Sequence, residues 1–229
     1  QRMKIPFMAG SSIPVAWREP ELTLKRGSRI KEALAVGYGG PEAYAYHALE
    51  GLQCMIERRA GGETGVRSVQ AVTGDAIWEA EARGLWSMDL LMSALRLHPK
   101  AKLDRLRERL RKNSPFYLIE YRDGTRGTVA MMNGVTGEFG FAARIQGETK
   151  PKATWIKLDY RAPFAHFAWL TKGIEHLVHH RQSPYPVERT LLTTGILDRA
   201  IHSLVDEGRK LSTPELYVKY QPTDWGYAD

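Results

Sequence analysis

His47 is the residue of this sequence best placed to move a proton. It lies one turn into a predicted helix that follows a glycine-rich turn, and its neighbours there are Tyr44, Tyr46 and Glu42. An imidazole titrates near neutral pH and can act as a general acid or base, while phenol and carboxylate groups can bind substrate hydroxyls. The sequence therefore predicts His47 as a catalytic residue and its three neighbours as substrate-binding residues. The alternative is a histidine that only packs its helix, because one histidine without a fixed partner does not define a site.

A second group of histidines lies toward the C-terminus and comprises His166, His176, His179 and His180. His176 and His180 have the i, i+4 spacing of a metal-binding pair on one helix face. The intervening residues do not complete an H-E-x-x-H motif, and the sequence offers no cysteine or acidic third ligand. Histidines also suit a helix C-terminus, where the helix dipole favours positive charge. We therefore interpret this group as a polar helix end and predict no metal site.

The remaining nucleophiles and carboxylates lack partners in the sequence. Cys54 lies in mid-helix near the apolar stripe, whereas a reactive thiol needs a lowered pKa and exposure. We therefore expect a buried structural thiol there. Neither a catalytic triad nor a glycosidase-type carboxylate pair can be assigned to the other candidates, which are Ser11, Ser12, Ser203, Glu42 with Glu50, and Glu79 with Glu81.

The composition is that of an ordinary globular chain. Its 229 residues are 43% hydrophobic and 26% charged, which provides enough apolar surface for a core. No apolar run reaches the roughly 18–20 residues of a membrane span, and the single cysteine excludes an internal disulfide. We therefore expect no membrane partner and a reducing, cytoplasmic location.

The net charge of +7 raises the question of a nucleic-acid surface. The basic residues are dense only in Lys100–Lys112, where leucines recur at helical spacing and acidic residues are interspersed. This pattern predicts an amphipathic helix with a solvated basic face. No zinc-finger spacing or RNA-binding aromatic motif supports nucleic-acid binding. Nucleic acid is therefore not predicted as a partner, and nucleic-acid binding is kept as the third of the alternative functions.

The elements that must position these residues alternate in type. Hydrophobic alternation and turn signals predict strands over Lys4–Ala9, Arg29–Val36, Val66–Val72, Phe116–Arg122, Thr125–Met132, Phe139–Gln146, Thr154–Asp159 and Leu216–Tyr220. Helical periodicity predicts helices from Glu42 to about Arg59, over Ala76–Leu97 with a break near Gly84, over Phe164–His180 and over Val187–Glu207. Asp123-Gly124 is a strong hairpin signal between two of the strands.

Antiparallel hairpins in the middle, with helices before and after, predict an α+β fold with a large, mostly antiparallel, open-faced β-sheet and helices packed on one face. The opposite face would be free to meet another subunit or domain. No G-x-G-x-x-G fingerprint opens a βαβ unit, so no cofactor-binding residues are assigned. Because Lys4–Ala9 has the pattern of a buried strand with almost nothing before it, we expect residues 1–229 to be one domain, the second half of a two-domain protein.

Several stretches, taken in order, resemble the C-terminal domain of the glucose–fructose oxidoreductase/inositol dehydrogenase (Gfo/Idh/MocA-like) family. Ile5–Gly10 resembles the strand that leaves the family's nucleotide-binding domain, and Gly39–Glu50 resembles its glycine-rich turn and histidine-bearing helix. Val66–Val72 resembles its next strand, Tyr121–Thr128 its sheet hairpin, and Pro186–Gly208 its closing helix. The resemblance covers nearly the whole chain in the right order.

The resemblance implies a two-domain enzyme whose N-terminal Rossmann domain, absent from this sequence, binds NAD or NADP. The present domain would cap a sugar-like substrate and build a dimer or tetramer through the open sheet face. The implied reaction is hydride transfer between the nicotinamide and a hydroxyl-bearing carbon of a sugar, cyclitol or related polyol, with His47 as acid/base. This chain alone would be inactive, because the nucleotide-binding half is missing.

Two positions depart from the family pattern. The family's aspartate four residues before the histidine falls on Ala43, and its arginine-rich turn after the first strand is replaced by Ser11–Val15. Glu42, Tyr44 or Tyr46 could compensate for the aspartate. The alternative function is therefore a non-catalytic carbohydrate-binding or assembly module that has lost dehydrogenase chemistry.

Overall fold

The computed structural model describes residues 5–110 and 113–228, which form one eight-stranded sheet and six α-helices. The strands are β1 Trp17–Glu19, β2 Ile30–Gly37, β3 Val66–Val72, β4 Phe116–Tyr121, β5 Arg126–Met131, β6 Phe139–Ile145, β7 Lys152–Lys157 and β8 Leu211–Ser212. The helices are α1 Tyr44–Ile56, α2 Asp75–Ala82, α3 Met88–Leu95, α4 Leu106–Arg109, α5 Ala168–His180 and α6 Glu188–Val205. The strand order is β1-β7-β6-β2-β5-β4-β3-β8, and only the β2–β5 pair is parallel among the described strands.

The predicted α+β class with a mostly antiparallel open sheet is confirmed, and β2 shows how the sequence encodes it. Its residues Ala33 to Val36 form a continuous apolar run, which is typical of a strand buried on both faces. Ala33 and Ala35 lie in the core beneath α1, whereas Leu34 and Val36 lie in a second core on the opposite face. Successive side chains of a strand point to opposite faces, so one short segment contributes to both cores.

The two long buried helices, α1 and α6, pack next to each other against the sheet. Leu49 and Leu52 of α1 and Leu192 and Ile196 of α6 are fully buried in the core that they share. This layer sets the position of α1, which carries His47. Among the helices that the structure describes, none combines the length and apolar character that a membrane span requires.

The opposite face carries a second, smaller layer that the sequence did not reveal. Ile77 of α2 and Leu91 of α3 are buried in one cluster with Leu34 and Val36 of β2. The surface expected to be free for another subunit is therefore reduced, because its apolar centre is covered by the chain itself. What remains is polar: Arg126 and Arg144 both donate to Glu32 on this face, as the ion-pair distances of 2.7 and 3.0 Å show. A surface of this kind is less suited to hydrophobic association than the predicted open face.

A buried network of charged and polar side chains holds the C-terminal half of α1. Glu57 accepts two hydrogen bonds from Arg189 of α6, at 2.9 and 2.6 Å, and both side chains are almost fully buried. Tyr220 donates its hydroxyl to the same carboxylate at 2.8 Å. A neighbouring pair, Arg59 with Glu63, is equally buried and bidentate. Buried charges of this kind are tolerated only when they are paired and hydrogen-bonded, so the network fixes how α1 lies against α6.

Most of the predicted elements are confirmed with small changes in their bounds. The strand over Val66–Val72 is confirmed at both ends. The Asp123-Gly124 turn joins β4 and β5 as an antiparallel hairpin. The long predicted helix Ala76–Leu97 is divided at Gly84 into α2 and α3, because Gly84 adopts a positive φ of 69° that a helix does not allow.

Three predicted segments are wrong in whole or in part. Residues 5–9 of the predicted strand Lys4–Ala9 are irregular, and Lys4 lies outside the described residues; Ile5 and Phe7 are exposed and no described strand pairs with them. Leu216–Tyr220 is not a strand, because Leu216 ends a 3-10 turn that begins at Pro214 and only Tyr220 forms an isolated bridge, to Glu63. The basic helix shrinks to α4, since Arg105 is left-handed and Arg109 folds back to Asp104; residues 111 and 112 lie outside the described residues.

Candidate functional site

One end of the sheet gathers the residues around His47. β2, β5 and β7 end at this rim and β6 begins there, because β6 runs antiparallel to β2 and β7 while β5 runs parallel to β2. Tyr38, Asn133 and Tyr160 follow the ends of β2, β5 and β7, and Phe139 opens β6. The first turn of α1 contacts the same rim, since the Tyr38 and Tyr44 rings lie 5.1 Å apart. The topology therefore brings residues from four strands and one helix to a single location.

Gly39 shapes the turn that leads from β2 into α1. Its φ of +82° is a left-handed conformation that favours glycine, and a Cβ there would lie 2.5 Å from the Tyr44 ring. Asn133 holds this turn with a pair of hydrogen bonds: Gly39 donates its N–H to Asn133 Oδ1 at 2.6 Å, and Asn133 Nδ2 donates to the Gly39 carbonyl at 3.1 Å. The glycine-rich turn is thus a fixed support for the start of α1.

His47 has a hydrogen-bond partner that lies far away in the sequence. Its Nδ1 is 2.6 Å from Oγ of Ser11, a buried residue of the segment before β1. Ser11 Oγ also accepts the N–H of Ile13 at 3.1 Å, so its position is fixed by the backbone. A hydroxyl retains both a hydrogen and a second lone pair, and can therefore accept from Nδ1–H or donate to Nδ1. With the proton on Nδ1, the Nε2 atom of His47 is a free base.

The electrostatics of His47 suit proton exchange near neutral pH. Burial lowers its pKa below the ordinary value, so the imidazole is neutral at pH 7. The ring is only half-buried, and among the described residues its Nε2 has no hydrogen-bond partner. Its place in the first turn of α1 acts in the same direction as burial, because the positive end of the helix dipole disfavours an imidazolium.

Glu50, one turn further along α1, holds the segment that carries Ser11, the hydrogen-bond partner of His47. It is fully buried, and its carboxylate accepts the hydroxyls of Thr193 at 2.6 Å and Thr190 at 3.3 Å and the N–H of Ser11 at 3.5 Å. Burial raises the pKa of Glu50, although the Arg189 charge and these hydrogen bonds oppose the shift. Glu50 therefore ties α1, α6 and the Ser11 segment together rather than contacting a ligand.

The three residues predicted to bind substrate are placed differently. Tyr44 is exposed and its ring meets that of His47 edge-on at 6.2 Å. Tyr46 is half-buried with its ring 5.6 Å from His47, and burial, with the nearby Glu50 charge, raises its pKa to about 12. Glu42 is exposed in the turn before α1, and no contact with a described residue brings it to His47. The structure therefore assembles the two tyrosines with His47 and leaves Glu42 aside.

Further aromatic residues extend the surface beside His47. The Phe139 ring lies 6.3 Å from His47 and 4.9 Å from Tyr38, whose hydroxyl pairs with that of Tyr160 at 2.9 Å. Burial raises the pKa of both Tyr38 and Tyr160, so both phenols remain protonated at neutral pH. Aromatic faces next to hydroxyl groups can contact the apolar side of a ring-shaped polyol and hydrogen-bond its rim. An open cleft of about 980 Å³ is lined by Gly39 and Asn133 but not by His47.

The other candidate residues lie apart from this site. The His176 and His180 rings stack at 4.4 Å on α5, where the His176 ring also lies 5.1 Å from that of Trp225, and no cluster of three metal-binding side chains occurs among the described residues. His166 is buried and hydrogen-bonded to the Asp159 carbonyl at 2.7 Å. Cys54 is buried as predicted; burial raises the pKa of its thiol, which donates to the Gly51 carbonyl.

Sequence reasoning missed four residues of the site: Ser11, Tyr38, Asn133 and Tyr160. Ser11 was rejected because no triad partner was near it in the sequence, and His47 is 36 positions away. For Tyr38, Asn133 and Tyr160 the available signal was their position just after predicted strands, where side chains from neighbouring strands meet; Ser11 had no such signal, because residues 5–9 before it are irregular. That signal requires the strand order, which periodicity does not give.

The described residues do not fit the phosphate-binding part of a nicotinamide dinucleotide. The parallel pair β2–β5 is not joined by a βαβ unit with a glycine-rich phosphate turn, since α1, β3, α2, α3, α4 and β4 intervene. The turn at Gly39 is followed by a helix, but the dinucleotide fingerprint is missing from it. The described residues are therefore assigned no role in holding the phosphates of a dinucleotide.

The fold is similar to that of several solved dehydrogenases. GenD2 of gentamicin A biosynthesis, in complex with NAD, has 13% identity and a TM-score of 0.50 over 82% of this chain and 56% of its own. Scyllo-inositol dehydrogenase of Lactobacillus casei, with bound NAD(H) and scyllo-inositol, has 11% identity and a TM-score of 0.47 over 80% of this chain and 56% of its own. The WlbA dehydrogenase of Bordetella pertussis, in complex with NADH and UDP-GlcNAcA, has 12% identity and a TM-score of 0.42 over 82% of this chain and 57% of its own.

The chain thus spans about half the length of these structures. The likeness to GenD2 shows a shared fold, and the resemblance to the C-terminal domain of Gfo/Idh/MocA-like oxidoreductases is confirmed at that level. No protein-family model and no curated protein sequence matches the chain.

Proposed function

We propose that this chain is the substrate-binding domain of an NAD(P)-dependent oxidoreductase that acts on a sugar, a cyclitol or a related polyol by hydride transfer. The observation that carries the proposal is the pairing of His47 with Ser11, which leaves a neutral imidazole with a free Nε2 beside a group of phenols. The fold shared with GenD2 supports it, as does a chain length of about half that of the solved dehydrogenases.

In this proposal the nicotinamide, bound by another domain, supplies the hydride acceptor. His47 takes the proton of the substrate hydroxyl at Nε2, while Ser11 holds Nδ1 and fixes the ring. The carbon loses its hydrogen as hydride and the oxygen loses its proton, so that a carbonyl forms. A general base of this kind contributes typically about 10²–10⁴-fold to a rate.

The substrate class follows from the surface beside His47. Tyr44 offers an exposed ring that lies 5.1 Å from the ring of Tyr38, whose hydroxyl is hydrogen-bonded to that of Tyr160. Among the described residues no arginine or lysine stacks on these rings, but Arg18, Lys157 and Arg161 line a cavity with Tyr160, so the test below includes neutral polyols and sugar acids.

The test uses the natural protein that contains this chain together with its nucleotide-binding part. NAD+ and NADP+ reduction is followed by absorbance with a panel of inositols, hexoses, amino sugars and sugar acids, and nucleotide binding is measured separately. Turnover with at least one neutral polyol is expected. A protein that binds no nicotinamide nucleotide, or that binds one and oxidises none of the panel, contradicts the proposal.

The second candidate is a non-catalytic carbohydrate-binding or assembly module. It is favoured by Ala43, which stands at the start of α1 without a side-chain cap and where the family has an aspartate. Two results together would favour this module over the enzyme. The first is carbohydrate binding to the 229-residue chain, detected by NMR shifts of the site tyrosines. The second is the absence of nucleotide reduction by the natural protein that contains its nucleotide-binding part.

Self-association as a dimer or tetramer is part of the same proposal. With α2 and α3 across the sheet, the interface would have to use the uncovered polar strip that includes Glu32, Arg126 and Arg144. Light scattering of the natural protein and of its Arg126→Glu variant tests this. A smaller assembly in the variant supports the polar strip as the interface, and an unchanged assembly excludes it.

A further inference from the structure

A second cavity opens about two helical turns along α1 from His47. It has a volume of about 320 Å³ and lies between α1, the start of α6, the segment before β1 and the C-terminal segment of the described chain. Cys54 and Glu57 of α1, Tyr185 and Arg189 near the start of α6, and Trp225 contribute to its wall. None of the residues that contact His47 lines it, so it is separate from the site described above.

The charges around this cavity do not balance. Three arginines line it, Arg18, Arg58 and Arg189, against two carboxylates, Glu57 and Asp224, which leaves a net charge of +1. Arg189 pairs with Glu57, and Arg58 pairs with Asp224 at 2.8 Å.

Arg18 is the arginine of this cavity that has no carboxylate partner among the described residues, and its hydrogen bonds go to uncharged groups. Its guanidinium donates to the carbonyls of Leu22 and Pro14 at 2.8 and 2.9 Å and lies over the Tyr227 ring. No carboxylate of a described residue pairs with it. Burial lowers the pKa of Arg18, and the charges of Arg189 and Arg58 act in the same direction. A further negative charge in the cavity would offset this unfavourable environment.

Two further polar groups of the cavity wall lack a partner. The Tyr185 hydroxyl and the Trp225 indole Nε1 are both buried, and neither has a hydrogen bond to a described residue. An unpaired buried donor is costly, so such groups are expected to meet a ligand or water. Burial raises the pKa of Tyr185 to about 12, which keeps the hydroxyl protonated and able to donate.

The chemistry of these groups selects one kind of ligand. An indole N–H and a guanidinium are donors only, and a phenol can donate. A ligand that satisfies all of them has to accept several hydrogen bonds and carry negative charge. Water can fill the hydrogen bonds, but it cannot offset the charge of Arg18. We infer that this cavity is a binding site for a small oxyanion, a carboxylate or phosphate group carried by a compact molecule, held by Arg18, Tyr185 and Trp225.

The size of the cavity fits this ligand class. A volume of about 320 Å³ is at the lower end of small-molecule pockets and is larger than a single phosphate or acetate needs. Inorganic phosphate and acetate are therefore minimal probes, which occupy the charged end of the site and distinguish the two possible acid groups.

The experiment titrates the 229-residue chain with sodium phosphate and, separately, with sodium acetate at constant ionic strength. Calorimetry and the thermal midpoint are recorded for the unmodified chain and for Arg18→Gln, Tyr185→Phe and the charge-matched control Arg105→Gln, whose side chain is 72% exposed and lies outside the cavity. We expect saturable binding of at least one probe, weakened about tenfold in the first two variants and unchanged in the control.

Tyr185→Phe keeps the test decisive even if Arg18→Gln fails to fold. It removes one hydroxyl that has no partner, so a structural role alone predicts no loss of stability and no change in binding. Binding of neither probe, or equal binding in the unmodified chain and Tyr185→Phe, overturns the inference. The readouts involve no nucleotide and no turnover, and so stand apart from the proposed oxidoreductase activity.

Discussion

Two histidines of this chain have nearly the same local chemistry and different access to solvent. Nδ1 of His47 pairs with the Ser11 hydroxyl at 2.6 Å, and Nδ1 of His98 pairs with the Thr136 hydroxyl at 3.2 Å. Each ring lies 6.3 Å from an aromatic neighbour, and burial lowers both pKa values, that of His98 to about 4. Both imidazoles are therefore neutral at pH 7 and held by a hydroxyl.

The difference lies at Nε2. His98 is 4% exposed, and its buried Nε2 lies against Gly140, where a Cβ would be 2.7 Å away. His47 is half-exposed at the rim of the sheet. The comparison teaches that residue type and pairing do not make a proton-transfer site; access of Nε2 to a ligand does. His98 is thus a natural control for His47, and the predictions below test how far the two differ.

The largest effect is expected in the buried network that holds α1, the helix that carries His47. Glu57→Gln leaves Arg189 buried without its carboxylate, and breaking a buried pair on one side costs about 3–5 kcal/mol of unfolding free energy. Urea unfolding of the 229-residue chain measures it. The surface pair of Arg199 and Glu215 provides the control, since Glu215→Gln should cost less than about 1 kcal/mol. Equal losses in the two variants would mean that the network does not hold α1.

The second prediction concerns the enclosed histidine and pH. The pKa of His98 is about 4 in the folded chain and near 6.5 in the unfolded chain, so the unfolded state binds the proton first as pH falls. Stability from His98 is present above about pH 6.5 and decreases toward pH 4, by roughly 3 kcal/mol in total. Unfolding free energy should fall by that much more in the unmodified chain than in His98→Gln between pH 7 and 4. Parallel pH profiles would show that His98 is not buried as described.

The smallest effect concerns which of the two ring nitrogens of His47 carries the proton. In the proposed mechanism the Ser11 hydroxyl accepts from Nδ1–H, so Ser11→Ala, which loses one hydrogen bond of about 1 kcal/mol, should lower the ratio of the Nδ1–H tautomer to the Nε2–H tautomer about fivefold. Nitrogen-15 NMR of the imidazole reports the two tautomers directly. Ser12→Ala, at the adjacent residue, should leave the ratio unchanged. The same ratio in Ser11→Ala as in the unmodified chain would remove Ser11 from the site.

The sequence predicted local elements better than the contacts between them. Alternation in Val66–Val72 and the Asp123-Gly124 turn each depend on neighbouring residues, so both could be read directly. The second helix layer could not, because a continuous apolar run such as that of β2 shows that a strand has two buried faces without showing which helices cover them. The strand β1 was also missed, since three residues carry too little periodicity.

The site shows the same limit more sharply. His47, Tyr44 and Tyr46 share one helix, so their proximity follows from the sequence. Tyr160 reaches the site through the strand order of the sheet and Ser11 through an irregular segment before β1, and their distance along the chain hides both. Glu42 was predicted to join the site from its position beside α1, but the turn leaves it exposed.

The central claim, that His47 exchanges a proton with a polyol substrate, is tested most directly by turnover of paired histidine variants. In the natural protein with its nucleotide-binding part, kcat for nicotinamide reduction is measured at pH 7 for the unmodified protein, His47→Gln and His98→Gln, per folded molecule. The account predicts a loss of at least about 100-fold for His47→Gln and an unchanged kcat for His98→Gln. Equal rates for His47→Gln and the unmodified protein would contradict it.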